Sequence, residues 1–174
     1  MIVQLFMLLL KGATVFVRRP QWYGVSRKVI RAFGTMVTTA FRASPKESLP
    51  DIGDEWQRMF TSPGRRYLPL ISSEPDTLRY AITTHCPLRG TGDVAACHRM
   101  MEYDRRLMES IGGEFVVLAS QAEHGRNTCV VAIRKKGADM SDLTPAHVRV
   151  AHGLETTRTI ASKSLEEVRF HRIS

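Results

Sequence analysis

The stretch 78–135, "LRYAITTHCPLRGTGDVAACHRMMEYDRRLMESIGGEFVVLASQAEHGRNTCVVAIRK", decides the fold. At its start Leu78, Tyr80, Ile82, Thr84 and Cys86 alternate with Arg79, Ala81, Thr83 and His85. That period of two is a strand, ended by Cys86-Pro87. A turn around Gly90 follows, and the period then changes to that of a helix over Gly92–Ile111. Cys97, Met100, Met101, Asp104, Met108 and Ile111 share one face of it, and Gly112-Gly113 supplies the stop. Two further strands, Glu114–Ser120 and Thr128–Lys135, are joined by a turn through His124-Gly125-Arg126-Asn127. The order strand, helix, hairpin predicts an α/β core of the α+β kind. A helix packed over such a sheet returns its N-terminal end to the end of the first strand, so Cys86, Cys97 and Cys129 are expected to lie near one another.

Upstream, Gln21–Ala43 carries Trp22, Val25, Val29, Phe33, Met36, Val37 and Phe41 at mostly three- and four-residue spacings, which predicts a helix. Ser44-Pro45 stops it, and Pro50-Asp51 opens a short helix with Trp56, Met59 and Phe60 on one face. Arg65–Pro75 holds two prolines and no clear period, and reads as a loop or an irregular crossing segment. The expected architecture is a helical N-terminal half (1–62) packed on a small antiparallel or mixed sheet within the core 76–137. Residues 1–140 then form one domain, and 141–174 a C-terminal extension. A short helix opens that extension at Asp142–Pro145, followed by a tail expected to wrap a partner or stay mobile.

Across 174 residues, 43% hydrophobic and 24% charged residues is globular composition. The net charge of +8 and pI near 9.9 suit anionic ligands, acidic partners, nucleic acid or an anionic membrane surface. The Arg-Arg pairs at 18–19, 65–66 and 105–106 are scattered and form no stripe, which disfavours nucleic acid. Three cysteines in regular segments fit a reducing, cytoplasmic setting. Met1–Val17 is apolar apart from Gln4 and Lys11. It is shorter than the roughly 20 residues a spanning helix needs and lacks the basic lead of a signal peptide. The favoured expectation is a hydrophobic contact with a second copy or another protein; peripheral membrane attachment is the next alternative.

Asp104 sits in the middle of an apolar helix face, where a carboxylate must be hydrogen-bonded or hold a raised pKa. A structural acid satisfied by neighbouring donors and a functional acid both remain open. Cys97 lies two turns earlier on the same stripe, and His85 and His98 adjoin the thiols in sequence but point in other directions. A zinc or iron–sulfur site needs about four ligands. Three cysteines without a C-x-x-C pair make it the minority alternative to a chain with no cofactor.

Cys86-Pro87 after a strand, Cys97 with Asp104 seven residues on, Gly112, and a last strand opening Gly125 to Cys129 form a pattern over residues 86–134. It resembles the C-terminal core of the L-2-amino-thiazoline-4-carboxylic acid hydrolase family, and is similar to the related small-ligand domains of the 4-vinyl reductase type. The resemblance implies an enzyme, a hydrolase opening the C=N-containing ring of a thiazoline amino acid. Cys97 would be the nucleophile or orient a water, with Asp104 as acid/base and Cys86 or Cys129 as a second pocket thiol. Arg89 or Arg126 would hold the substrate carboxylate. The alternatives are a non-catalytic binding module for a small ligand or metal, and an accessory subunit docking through its apolar first helix and basic tail.

Overall fold

The computed structural model describes residue 12, residues 14–60 and residues 62–154, the side chains of 62 and 63 excepted. The helix expected over Met1–Val17 lies outside the described residues, save that 14–17 are helical. The tail 155–174 also lies outside them.

Four strands, β1 (Leu70–Ser73), β2 (Leu78–Ile82), β3 (Gly113–Ala119) and β4 (Cys129–Lys135), form an antiparallel sheet in the order β1-β2-β4-β3. The helices are α1 (Tyr23–Ala40), α2 (Leu49–Arg58), α3 (Val94–Met100), α4 (Glu102–Ile111) and α5 (Ala146–Ala151), with one helical turn at Ser62–Arg65. The class is α+β. β2 and β3 both run antiparallel to β4, so the crossover through α3 and α4 links two strands with the hairpin's second strand inserted between them.

Three elements depart from the expected pattern. The segment read as a loop contains β1, a four-residue edge strand too short to show a period. Its two prolines stand outside it: Pro69 precedes the strand and Pro75 lies in the turn closed by Glu74 N–H donating to the Thr77 carbonyl at 2.9 Å. β2 stops at Ile82, short of Cys86, because the Gln121 side-chain amide donates to the Ile82 and Thr84 carbonyls (3.0 and 2.8 Å) where ladder partners would otherwise stand. The single helix expected over Gly92–Ile111 is two, broken at Met101. Arg105 reaches back across that break to donate to the His98 carbonyl, and a side chain inserted into the helix ladder is a known source of kinks.

The helix-side core centres on Trp56, which is fully buried and meets Tyr80 and Phe115 at ring-centroid distances of 5.2 and 6.0 Å. α2 reaches this depth through Gly53, where a Cβ would lie 2.4 Å from the Tyr80 hydroxyl and 2.7 Å from Leu78 Cδ1. Ser48 caps α2 by accepting from the Asp51 N–H at 3.2 Å. Gly112, at φ +87°, ends α4 in the left-handed conformation that a side chain disfavours. α1 is bound to α4 through Glu102, a buried carboxylate that accepts from Arg27, Arg31 and Arg105 at 3.3, 3.2 and 3.1 Å.

The opposite sheet face buries Val116, Leu118, Val130 and Ala132 under Leu143 and Met140. Arg134 closes that side with a bidentate bridge to Asp142 (2.6 and 2.8 Å) and a bond to the Thr77 hydroxyl at 2.7 Å. Leu143 and Ala146 are buried, and Arg149 pairs with Glu123 at 2.8 Å. The first part of the expected extension is thus packed into the domain. Its helix begins at Ala146, after the Asp142–Pro145 segment, because Pro145 holds an extended backbone (ψ 142°) just ahead of it.

Candidate active site

The turn after β3 organises the cysteines. Gln121 is fully buried, and its side-chain oxygen accepts from the Cys86 N–H (3.1 Å) and from Arg89 Nε (2.9 Å). With the two carbonyls its amide group serves, one side chain ties the end of β2, the loop after it and the β3–β4 connection together. The loop is held a second time where the Gly90 and Gly92 N–H groups donate to the Gln121 and Ala122 carbonyls, both at 2.8 Å. Both glycines have positive φ.

Cys97 and Cys129 meet across the interface of α3 and β4. The Gln121 N–H donates to Cys129 Sγ at 3.2 Å, and the Cys129 thiol in turn donates to the Cys97 sulfur. In parallel, the Ala122 N–H donates to Ser120 Oγ at 3.0 Å, and the Ser120 hydroxyl donates to the same sulfur. Two donor chains therefore converge on Cys97, each polarised by a backbone N–H behind it. Its pKa is lowered, first by the Cys129 hydrogen bond and also by Ser120 and the Arg105 charge, against the opposing effect of burial. Cys97 is the fourth residue of α3, at the limit of the first turn over which a helix dipole acts, so the lowering rests on these donors. Cys129, as the donor, is pushed well up. Cys86 is pushed up to about 11, chiefly by burial, and its charged form would also be opposed by Cys97. The three cysteines are neighbours, as the sequence predicted, but their thiols are unequal.

Cys97 opens onto a cavity of about 220 Å³ between α3, α4, the edge strand β3 and residues 140–147. Val94, Phe115, Val117 and Met140 give it an apolar lining, and His98, Arg105 and His147 are its polar groups. The two imidazoles stack at a centroid distance of 3.7 Å, tilted by 31°. Burial, followed by the charge of Arg105, pushes His98 down to about 4 and lowers His147 as well. Both are neutral at pH 7. Arg105 is oriented by Glu102 and by the His98 carbonyl, which keeps its guanidinium at the cavity wall.

The other residues singled out from the sequence lie away from this wall. Asp104 is on the helix face that meets α2, where its Oδ1 accepts from Trp56 Nε1 at 3.4 Å, and burial raises it to about 6. It acts on Cys97 only through its charge, which opposes the thiolate. Arg89 bonds Gln121 and the Asn127 carbonyl (3.1 Å), Arg126 pairs with Glu123 at 3.2 Å, and neither lines the cavity. Arg105, His147 and Ser120 were not singled out. His98 and Arg105 are seven residues apart, so they share a helix face adjoining that of Cys97, a signal that could have been read. His147 had none, since it comes from a segment read as an extension.

Among the described residues all three cysteines are free thiols, and no group of three or more His, Cys, Asp or Glu is arranged to hold a metal ion. A zinc or iron–sulfur site on the three cysteines thus has no matching geometry there. Compared with family models, curated proteins and solved structures, the chain finds no match in any of the three.

Proposed function

We propose that this protein is a hydrolase that opens the ring of a small carboxylated cyclic amidine, a thiazoline amino acid, with Cys97 as its nucleophile. The observation that carries the reading is one cavity wall holding both a thiol poised towards thiolate and the Arg105 guanidinium. A space of about 220 Å³ suits a ligand on the order of seven to ten non-hydrogen atoms, since each water occupies about 30 Å³ in the liquid. Arg105 holds the carboxylate, and the apolar walls take the ring.

In the reaction the Cys97 sulfur adds to the electrophilic C=N carbon, and the displaced electron pair goes to the ring nitrogen, which takes up a proton. Collapse of the tetrahedral carbon breaks its bond to a ring heteroatom and opens the ring. Water then adds to the same carbon and expels the Cys97 sulfur. His98 and His147, both neutral, offer nitrogens that can take the proton from that water, which balances the proton the ring nitrogen drew from solvent, and the Cys97 sulfur leaves as thiolate.

The test is turnover of L-2-amino-thiazoline-4-carboxylate by the full chain, followed by mass spectrometry of the product. Cys97→Ala is expected to abolish turnover, and a quenched reaction to show substrate mass attached to Cys97. Arg105→Gln is expected to raise KM more than it lowers kcat. Turnover that survives Cys97→Ala would overturn the reading, as would a wild-type chain inert towards thiazoline carboxylates.

A further inference from the structure

We propose that the outward face of α1 docks on an anionic lipid surface. Trp22, Val25, Val29 and Met36 fall three, four and seven residues apart and form one stripe, exposed by 44, 58, 62 and 58%. The helix's other side, through Ile30, Val37 and Phe41, packs against the core. The stripe continues into Val15 and Phe16, exposed by 57 and 52%, where the Phe16 ring meets Trp22 edge-on at 6.3 Å. An exposed apolar patch of this extent marks an interaction surface.

Charge selects the partner. Residues 1–46 contain eight Lys and Arg and no Asp or Glu. The remaining 17 basic residues equal the 17 acidic ones, so the whole net charge of +8 lies in this segment. Arg27 and Arg31 are used internally by Glu102 and Arg18 meets Asp93 at 3.5 Å, whereas Arg19, Lys28 and Arg42 are exposed around the stripe. A Trp-bearing apolar face bordered by cations is the chemistry of a helix lying in the headgroup plane of an anionic bilayer. A second copy fits poorly, because α1 has no acidic residue to meet the cations of its mate. Nucleic acid would use the charge and leave the stripe uncovered. The same segment opens with residues 1–10, in which Gln4 is the one polar residue. No described helix is long and apolar enough to cross a membrane.

The experiment is sedimentation of the full chain with vesicles of phosphatidylcholine, with and without phosphatidylserine. Trp22 emission reports contact, because Trp56 is buried and serves as the internal reference. Binding is expected only with phosphatidylserine, weakened roughly tenfold by high salt. The double change Val29→Gln, Met36→Gln is expected to weaken binding by a further factor of roughly ten while leaving the circular dichroism and Tm unchanged, because both side chains are exposed. Lys28→Gln with Arg42→Gln should reduce the preference for phosphatidylserine. Three results would each overturn the proposal: no binding to the anionic vesicles, binding indifferent to the Val29 and Met36 changes, or a dimer in sedimentation velocity that those changes dissociate. The last would assign the face to a second copy.

Discussion

The Cys129 thiol donates a hydrogen bond to the Cys97 sulfur, and this donor, with Ser120 beside it, lowers the pKa of Cys97 while those of the two neighbouring cysteines are pushed up. Cys129→Ala removes a donor that serves the thiolate and is expected to raise the Cys97 pKa. Site-resolved iodoacetamide labelling followed against pH should show the Cys97 profile moved to higher pH, while Cys129→Ser, which keeps a donor, should move it less. An unchanged profile in Cys129→Ala would mean that the thiolate is held by other groups.

Asp104 is buried against Trp56 with its pKa raised to about 6. In the unfolded chain an aspartate titrates near 4. Between those values the native state keeps a proton that the unfolded state has lost, so stability falls as pH rises through this window and then levels off. The loss is on the order of 2–3 kcal/mol for a shift of about two units. Asn at this position still accepts from the indole N–H and carries no charge. Asp104→Asn should therefore be more stable than wild type above pH 6 and lose the decline between pH 4 and 6, as measured by urea unfolding at a series of pH values. A destabilised Asp104→Asn at pH 7 would show that the carboxylate is held by interactions that the Trp56 bond does not represent.

The His98–His147 stack works in the opposite sense. Both imidazoles are held neutral by burial and by Arg105, with His98 pushed down to about 4. As pH falls below about 6.5 the unfolded chain takes up protons that the native stack refuses. Stability contributed here is present above pH 6.5 and is lost towards pH 4. Nuclear magnetic resonance titration should find His98 titrating near pH 4 and His147 below the ordinary histidine range. Arg105→Gln should shift both titrations upward.

The period-two and period-3.6 runs of residues 78–135 made the core order, the meeting of the cysteines and the α+β class legible in sequence, because both periods reflect which face is buried. β1 was hidden by its brevity, and the kink at Met101 by its dependence on a contact between Arg105 and a carbonyl seven residues back. The cavity was hidden for a different reason. Its far wall, through Met140, Pro145 and His147, comes from a segment whose burial rests on Arg134 gripping Asp142 and on Leu143 covering the back of the sheet. Such long-range closure leaves no local period. Asp104 stood out correctly as a buried acid, yet periodicity could not say whether its face met the cavity or Trp56.

Gln121 offers the most direct test of how the site is built. It is fully buried and makes four hydrogen bonds, to the Cys86 N–H, Arg89, and the carbonyls of Ile82 and Thr84, and its own N–H serves Cys129. Gln121→Ala leaves the four side-chain partners without their bonds, keeps the backbone N–H that serves Cys129, and opens a cavity, which should cost on the order of 3 kcal/mol. Gln121→Glu keeps the shape and the acceptor for Cys86 and Arg89 but turns an oxygen towards two carbonyl oxygens, so it too should be destabilised. Both changes free the Cys86 loop. Labelling of Cys86 by a neutral thiol reagent under native conditions should therefore accelerate in step with the loss of Tm, whereas Cys97, whose second donor chain runs from Ala122 through Ser120, should retain part of its low-pH reactivity. If Cys97 reactivity fell to that of an ordinary buried thiol in Gln121→Glu, the Ser120 chain would carry none of the effect, and the connection after β3 would act through Gln121 alone.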